Sequence, residues 1–133
     1  MISYENEIFT QIATRLRSEF DGIFVASTLN LNPTKFPCVF IEEADNYPYY
    51  RSGDTKSIEN HAVVMHEINV FSNKVSGKRQ EAKSIMQVVD EEYQKLGFRR
   101  QTLQPLSLDD STKYRIVSRY TAVIDDNHIT YRR

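Results

Sequence analysis

The sequence is poor in the residues that build disulfide-stapled folds, zinc sites and phosphate-binding loops. Its 133 residues include one cysteine, Cys38, and no tryptophan. A single cysteine excludes an intrachain disulfide and zinc sites of the four-cysteine or CxxC type. The four glycines are scattered, at positions 22, 53, 77 and 97. Because a loop that cradles phosphate needs clustered glycines, the nucleotide-binding fingerprints are excluded as well.

Long apolar runs and an excess of one charge are also missing. No apolar stretch approaches the ~20 residues of a membrane-spanning helix, and the first residues lack a signal peptide's basic start and apolar middle. Seventeen Lys and Arg residues against eighteen Asp and Glu residues give a net charge of −1. This balance argues against a protein whose main role is to bind nucleic acid or a membrane. We expect one soluble domain spanning residues 1–133, in a reducing compartment.

The charge is divided unequally along the chain. Residues 1–66 carry five Lys and Arg against nine Asp and Glu, a balance of −4. Residues 67–133 carry twelve against nine, a balance of +3. An acidic face and a basic face would suit head-to-tail association of copies of the chain. The alternative is a chance asymmetry within a mixed surface.

Two amphipathic helices are predicted from apolar residues at helical spacing. The first covers about Ser3 to Phe20, with an apolar stripe at Ile8, Phe9, Ile12, Ala13, Leu16 and Phe20. The second covers Lys78 to Leu96, with a stripe at Ala82, Ile85, Met86, Val89, Tyr93 and Leu96. Asp21-Gly22 and Gly97 are their stop signals.

The other segments predict strands. These are residues 23–26, 36–41, 58–72, 98–108, 113–125 and 129–131. Residues 36–41 are apolar on both alternating faces, which predicts a strand near the sheet centre, and residues 58–72 have one apolar and one mixed face. Turn formers between residues 42 and 57 predict a long loop. The order predicts an α+β fold, in which a mostly antiparallel mixed sheet is packed against two main helices.

The three histidines do not form a metal-ligand pattern. His61 and His66 are five residues apart on one predicted strand, so they point to opposite faces of the sheet. We interpret them, and His128, as surface or pairing residues. No GxSxG elbow surrounds a serine, and Cys38 lies in the most apolar strand, where thiols are usually inert. We expect no enzyme activity, no metal and no cofactor.

A small metal-dependent nuclease is the alternative that the residues keep open. Asp45, Glu59 and Glu67 would hold Mg²⁺ or Mn²⁺ in such a site. The lysine expected two residues after the glutamate is Asn69 here. This difference weakens the nuclease hypothesis.

A cluster in the predicted loop indicates a protein interface. It consists of Tyr47, Tyr49, Tyr50 and Arg51, and tyrosine and arginine are favoured at interfaces because each has a large contact area and a polar end. The alternative is that the tyrosines fold back onto the sheet. Lys78 and Arg79 are further interface candidates, because positive charge at a helix start opposes the helix dipole. For these two residues, a solvated helix end is the alternative.

Several segments in order form a layout that covers nearly the whole chain. They are the first helix ending at Phe20, FPCVFIEE (residues 36–43), HEINVFS (66–72), a helix containing Ala82-Lys83 with Gly77 before it, LGFRR (96–100), Tyr114-Arg115 and Arg119-Tyr120, and ITYR (129–132). In order and spacing this layout resembles the tail terminator (tail-completion) and related neck proteins of long-tailed bacteriophages or prophages.

The resemblance implies a structural virion protein with a tail-terminator-like α/β sandwich and no catalytic residues. It would be assembled in the host cytoplasm and located at the head–tail interface. Copies would form a hexameric ring that caps the tail tube protein and meets the head connector or stopper protein. Double-stranded DNA would pass through the lumen without sequence reading, which fits a near-neutral chain.

Other functions remain open beside this one. Another phage neck protein or a minor capsid protein of the same fold would share the layout. A monomeric module that binds a peptide or small ligand is a hypothesis from a different class.

Overall fold

The computed structural model describes residues 5–48, 61–106, 108, 110–125, 130 and 131. In chain order, its elements are α1 (Glu5–Glu19), β1 (Phe24–Ala26), β2 (Cys38–Pro48), β3 (His61–Ser72), α2 (Lys78–Lys95), β4 (Arg99–Leu106), β5 (Tyr114–Asp125) and β6 (Thr130–Tyr131). Both helices match the sequence prediction to within two residues at each end. None of the helices in this part of the chain is long and apolar enough to span a bilayer.

The strands form one mixed sheet. Its order is β1-β2-β3-β5-β4, with β6 paired to β5 beside β4. β1 runs parallel to β2, and all the other pairs are antiparallel. Two helices and a mostly antiparallel sheet confirm the predicted α+β class.

The main core lies between the helices and one face of the sheet, called here the inner face. Alternate residues of the central strands point into it and meet the apolar stripes of α1 and α2. Its fully buried members include Ile12, Leu16, Ile41, Ile68, Ile85, Val89 and Ile124. This packing places α1 and α2 on the same side of the sheet, so no helix within the described residues covers the opposite, outer face.

A second, smaller core lies on the outer face. Cys38, Phe40 and Phe71 are buried there, and half-buried Phe24 packs against them. The Phe40 ring meets those of Phe71 and Phe24 edge to face, with centroids 5.8 and 6.4 Å apart. Because Val39 and Ile41 face the main core, β2 is covered on both sides at its start, as its apolar pattern predicted.

The buried thiol of Cys38 gives a simple test of this second core. Burial raises the pKa of Cys38 to about 12, so the reactive thiolate is scarce at neutral pH. We expect a neutral thiol reagent such as a disulfide dye to modify the native chain far more slowly than the unfolded chain. The rate with and without denaturant measures this difference. Equally fast modification in both states would contradict the described burial.

The strand β2 is longer than predicted, which corrects one expectation. The loop predicted from Glu42 onward is strand as far as Pro48. A register shift between Glu43 and Asp45 inserts a bulge, and pairing with β3 resumes beyond it. The long partner strand supplies hydrogen bonds that override the turn preference of these residues. Tyr47 therefore lies in a strand, paired with Val63, and not in a loop; Tyr49, Tyr50 and Arg51 lie outside the described residues.

His66 corrects a second expectation, because it is not a surface residue. Its position in β3 places it on the inner face between Val64 and Ile68, and it is fully buried. The ring nitrogen Nδ1 lies 2.8 Å from the Tyr93 hydroxyl on α2. This hydrogen bond offsets part of the cost of burying the imidazole. The β3 face predicted to be fully apolar therefore contains a buried imidazole in its middle, besides Ser72 at its end.

Candidate interaction surfaces

The N-terminal end of α2 has an exposed group of positive charges. Gly77, with φ 91°, precedes the helix in the left-handed region and provides no side-chain cap. Lys78 and Arg79 lie in the first turn, as the sequence predicted, with Lys78 half-buried and Arg79 exposed. The structure adds exposed Lys74 before the helix and exposed Lys83 one turn further on. We call Lys74, Lys78, Arg79 and Lys83 the basic end.

The four cations of the basic end differ from every other described cation. The charged side-chain group of none of them has an ion pair, hydrogen bond or ring contact within the described part of the chain, although the Lys74 backbone N–H donates to Ser72 Oγ at 3.3 Å. All the other described Lys and Arg side chains make such a contact: Arg15, Arg17, Lys35, Lys95, Arg99, Arg100, Lys113, Arg115 and Arg119. The unpartnered positive charge is thus gathered within ten residues of sequence.

Negative charge lies near the middle of β2, on both sides of the sheet. Glu5 and Glu7 lie in the first turn of α1, and Glu5 Oε2 accepts the backbone N–H of Glu43 at 3.1 Å. Asp45 follows the β2 bulge, and its Oδ1 accepts the backbone N–H of Asn46 at 2.9 Å. No described Lys or Arg forms an ion pair with Glu5, Glu7 or Asp45. Asp45 pairs in register with Met65 and so lies on the outer face, whereas α1, with Glu5 and Glu7, packs on the inner face. These three carboxylates therefore do not form one surface.

An ion-pair network joins the two helices. Arg15 on α1 donates to Glu92 and Glu91 on α2, both at 2.8 Å, and Gln11 also reaches Glu92, at 3.4 Å. Burial opposes ionisation of Glu92, but hydrogen bonds from Arg15, Lys95 and Gln11 outweigh it and hold its pKa below the usual value. The network joins Arg15 and Gln11 of α1 to the C-terminal part of α2.

A groove runs between α2 and the edge strand β4 beside the basic end. Its volume is about 320 Å³, and Lys83, Met86 and Leu103 are among its lining residues. Leu103 is 42% exposed, an unusual degree for a large apolar side chain of this protein. The groove exists because α2 covers β3 and β5 but leaves the inner face of β4 partly open. It places apolar surface directly next to the charge of Lys83.

The free edge of β4 is poorly suited to pairing with another strand. A register shift lies between Arg100 and Thr102, and Pro105 has no N–H to donate. Bulges and proline are the means by which proteins prevent edge-to-edge association. Side chains, and not the β4 backbone, are therefore the contact groups that this region offers.

A series of contacts between polar side chains runs from the interior to Asp90, and the sequence analysis did not predict it. His66 meets Tyr93, whose ring stacks on that of Tyr120 with centroids 4.4 Å apart. The Tyr120 hydroxyl donates to Asp90 Oδ1 at 2.9 Å, and Arg100 approaches Asp90 at 3.4 Å. Desolvation raises the pKa of both tyrosines and lowers that of His66 to about 4. The residues in this series of contacts come from β3, α2, β5 and β4, which are distant in sequence, so no local sequence motif predicts it.

The carboxylates of the nuclease alternative do not gather into a metal site in the described residues. Glu67 lies on the outer face and pairs with Arg119 at 3.4 Å. Asn69, two residues further on, accepts two hydrogen bonds from Arg115 at 2.9 and 2.6 Å. Asp45 of β2 pairs in register with Met65 of β3, and Glu59 is outside the described range. Within that range, no three metal-ligating side chains come together.

Comparison with known proteins adds no further identification. The chain matches neither a protein-family model nor a curated protein sequence.

Proposed function

We propose that this chain is a structural protein of the bacteriophage neck, whose copies form a ring that terminates the tail tube. The observation that carries the proposal is the topology. A leading helix, a short parallel strand, a long hairpin, a second helix and a closing meander form one mixed sheet with both helices on one face. The resemblance of the sequence to tail terminators implies an α/β sandwich with helices packed against a mixed sheet, and this topology is of that kind.

The distribution of charge supports self-association as the role of the chain. A ring built head to tail needs two different surfaces on each copy that fit one another. The basic end contains positive charges that no described side chain neutralises, and exposed Glu7 and Asp45 have no described cationic partner. Such charges are available for attractive contacts with another copy of the chain.

The partners follow from the position of the ring. One face meets the tail tube protein, and the other meets the head connector or stopper protein. Double-stranded DNA passes through the lumen without being read. A net charge of −1 supports this last point, because a strongly basic lumen would hold the phosphates by releasing their counterions.

The aromatic pair Tyr49 and Tyr50 provides the test of this function. We expect Tyr49→Ala with Tyr50→Ala to abolish rings seen by negative-stain electron microscopy, and the joining of heads to tails in a lysate. On the prediction that both tyrosines lie in an exposed loop, the thermal midpoint should stay within a few degrees, because exposed substitutions cost at most ~0.5 kcal/mol each. Tyr49→Phe with Tyr50→Phe is the matched control and should keep both rings and joining.

Three outcomes would contradict the proposal. Collapse of the fold in the alanine variant would show that the tyrosines belong to the core. Absence of rings for the unaltered chain, both in solution and on tails, would exclude the ring. DNA cleavage with Mg²⁺ or Mn²⁺ that is lost in Glu67→Ala with the fold intact would establish the nuclease instead.

A further inference from the structure

The groove between α2 and β4 is bordered by a strand whose inner face is open. All residues of β4 up to Pro105 are exposed. Leu103 and Pro105 point to the inner face, because they pair in register with Ser118 and Ile116, which are buried there. Buried Met86 and Ile116 line the bottom of the groove. An apolar surface on the same side of the sheet as the helices is therefore accessible to a partner.

Two cations of the basic end lie along the α2 wall of this groove. Lys83 lines the groove together with Gln87 and Asp90. Arg79 precedes Lys83 by four residues, which places both side chains on one stripe of the helix. Both are exposed, and neither charged group has an ion-pair partner in the described part of the chain. The end of the groove near the start of α2 therefore has unpaired positive charge.

Glu81 does not neutralise this wall, because it lies on the other side of α2. It precedes Glu92 by eleven residues, which is about three full turns, so the two carboxylates share a stripe. Glu92 faces α1, where it accepts a hydrogen bond from Arg15. Glu81 accepts a hydrogen bond from Ser72 at 2.6 Å, at the end of β3, and β5 separates β3 from β4. The carboxylate of Glu81 is thus directed away from the groove.

The charges at the other end of the groove are already paired with each other. Arg100 approaches Asp90 at 3.4 Å, and Asp90 also accepts a hydrogen bond from the Tyr120 hydroxyl at 2.9 Å. Only the end with Arg79 and Lys83 therefore attracts charge from a partner, and the charge it attracts is negative.

We propose that the groove binds an amphipathic helix of a partner protein, whose apolar side chains contact Leu103 and whose carboxylates lie beside Arg79 and Lys83. The α2 wall extends about 16 Å from Arg79 to Asp90, which suits a helix of about three turns. An added strand does not fit, because the β4 edge has a register shift and Pro105 has no N–H to donate. The inference goes beyond the proposed function and does not require the ring.

Charge and packing favour a partner protein over a second copy as the occupant. Within the described residues, α1 and α2 already bury their apolar stripes in the main core, so neither is available to dock on another copy. Arg79 also opposes the dipole of its own helix, and a carboxylate beside it offsets this cost. Exposed aliphatic surface next to unpaired charge is the composition of an interface with an apolar centre and a charged rim.

A designed peptide tests the groove directly. The probe is a fluorescent helical peptide of about four turns, with leucines along one face and glutamates on the others. Fluorescence anisotropy at low ionic strength should show saturable binding to the unaltered chain, with a Kd of about 0.1 mM or tighter. Lys83→Glu removes the attractive charge and Leu103→Ala removes the apolar contact, and each should weaken binding at least about fivefold.

Matched controls separate docking in the groove from general attraction. Arg17→Glu changes the net charge by the same amount as Lys83→Glu, but Arg17 is exposed on α1 and does not line the groove, so this variant should bind as the unaltered chain does. A peptide with lysine in place of glutamate, and one of the same composition without an apolar face, should each bind at least about tenfold more weakly. Circular dichroism should show thermal midpoints within a few degrees for all three variants, since the substituted side chains are exposed.

The outcomes distinguish this inference from the proposed function. No saturable binding of the acidic peptide, equal binding of the peptide without an apolar face, or binding unchanged in Lys83→Glu and Leu103→Ala would overturn the inference and leave the ring in place. Self-association that is lost in Leu103→Ala, without peptide binding, would make a second copy the occupant. Retention of a fluorescent DNA duplex that is lost in Lys83→Glu, without peptide binding, would make this a nucleic-acid surface; both results would overturn the inference.

Discussion

Acidification from pH 7 to pH 4 is expected to lower the free energy of unfolding by about 3 kcal/mol through His66 alone. Burial lowers the pKa of His66 from 6.5 to about 4 in the folded chain. Between these values the unfolded chain binds the proton and the folded chain does not, so stability falls as pH falls. Burial of neutral His66 therefore costs no stability above about pH 6.5, and the free energy of unfolding falls as the pH decreases from there toward 4.

Urea unfolding at a series of pH values measures this effect. The variant His66→Gln should remove most of the pH dependence between 6.5 and 4, whatever its own stability, because the slope depends only on the titrating group. Nuclear magnetic resonance of the imidazole gives the pKa directly. An imidazole that titrates above pH 6, or a slope unchanged in His66→Gln, would contradict the closed environment formed by Tyr93 and Phe98.

Truncation of Phe40 is expected to cost about 3 to 4 kcal/mol of unfolding free energy. Phe40 is 2% exposed on the outer face, where its ring contacts those of Phe24 and Phe71. Phe40→Ala removes these contacts and leaves a cavity beside Cys38, which the short β1 strand and the following loop cannot fill by a small shift.

An exposed leucine provides the comparison for this variant. Leu103 is 42% exposed, and Leu103→Ala should change the unfolding free energy by no more than ~0.5 kcal/mol. Chemical denaturation of both variants at one pH gives the two values. A cost for Phe40→Ala as small as that for Leu103→Ala would show that the outer face is open at this point.

The basic end shows how much of a surface could be predicted from the sequence. The unequal charge of the two halves indicated opposite faces, and the helix-dipole argument selected Lys78 and Arg79. It did not select Lys74 and Lys83, because whether a cation lacks an ion-pair partner depends on three-dimensional contacts and not on the spacing of residues in the sequence. The contact of Glu5 on α1 with the backbone of Glu43 is likewise contained in no local sequence pattern.

Local patterns by themselves determined the helices and the class of the fold. Apolar spacing and stop signals give α1 and α2 to within two residues, and alternation gives strands that require an antiparallel sheet. These features depend on neighbours a few residues apart, so the chain specifies them wherever it folds.

Tertiary structure alone decided the length of β2 and the place of His66. Turn formers predict a loop after Ile41, but a long partner strand pairs with them as far as Pro48. Histidine is often partly exposed, yet a hydroxyl 27 residues away on α2 allows His66 to be buried. In both cases the deciding hydrogen bonds come from residues distant in sequence, and only folding brings them within reach.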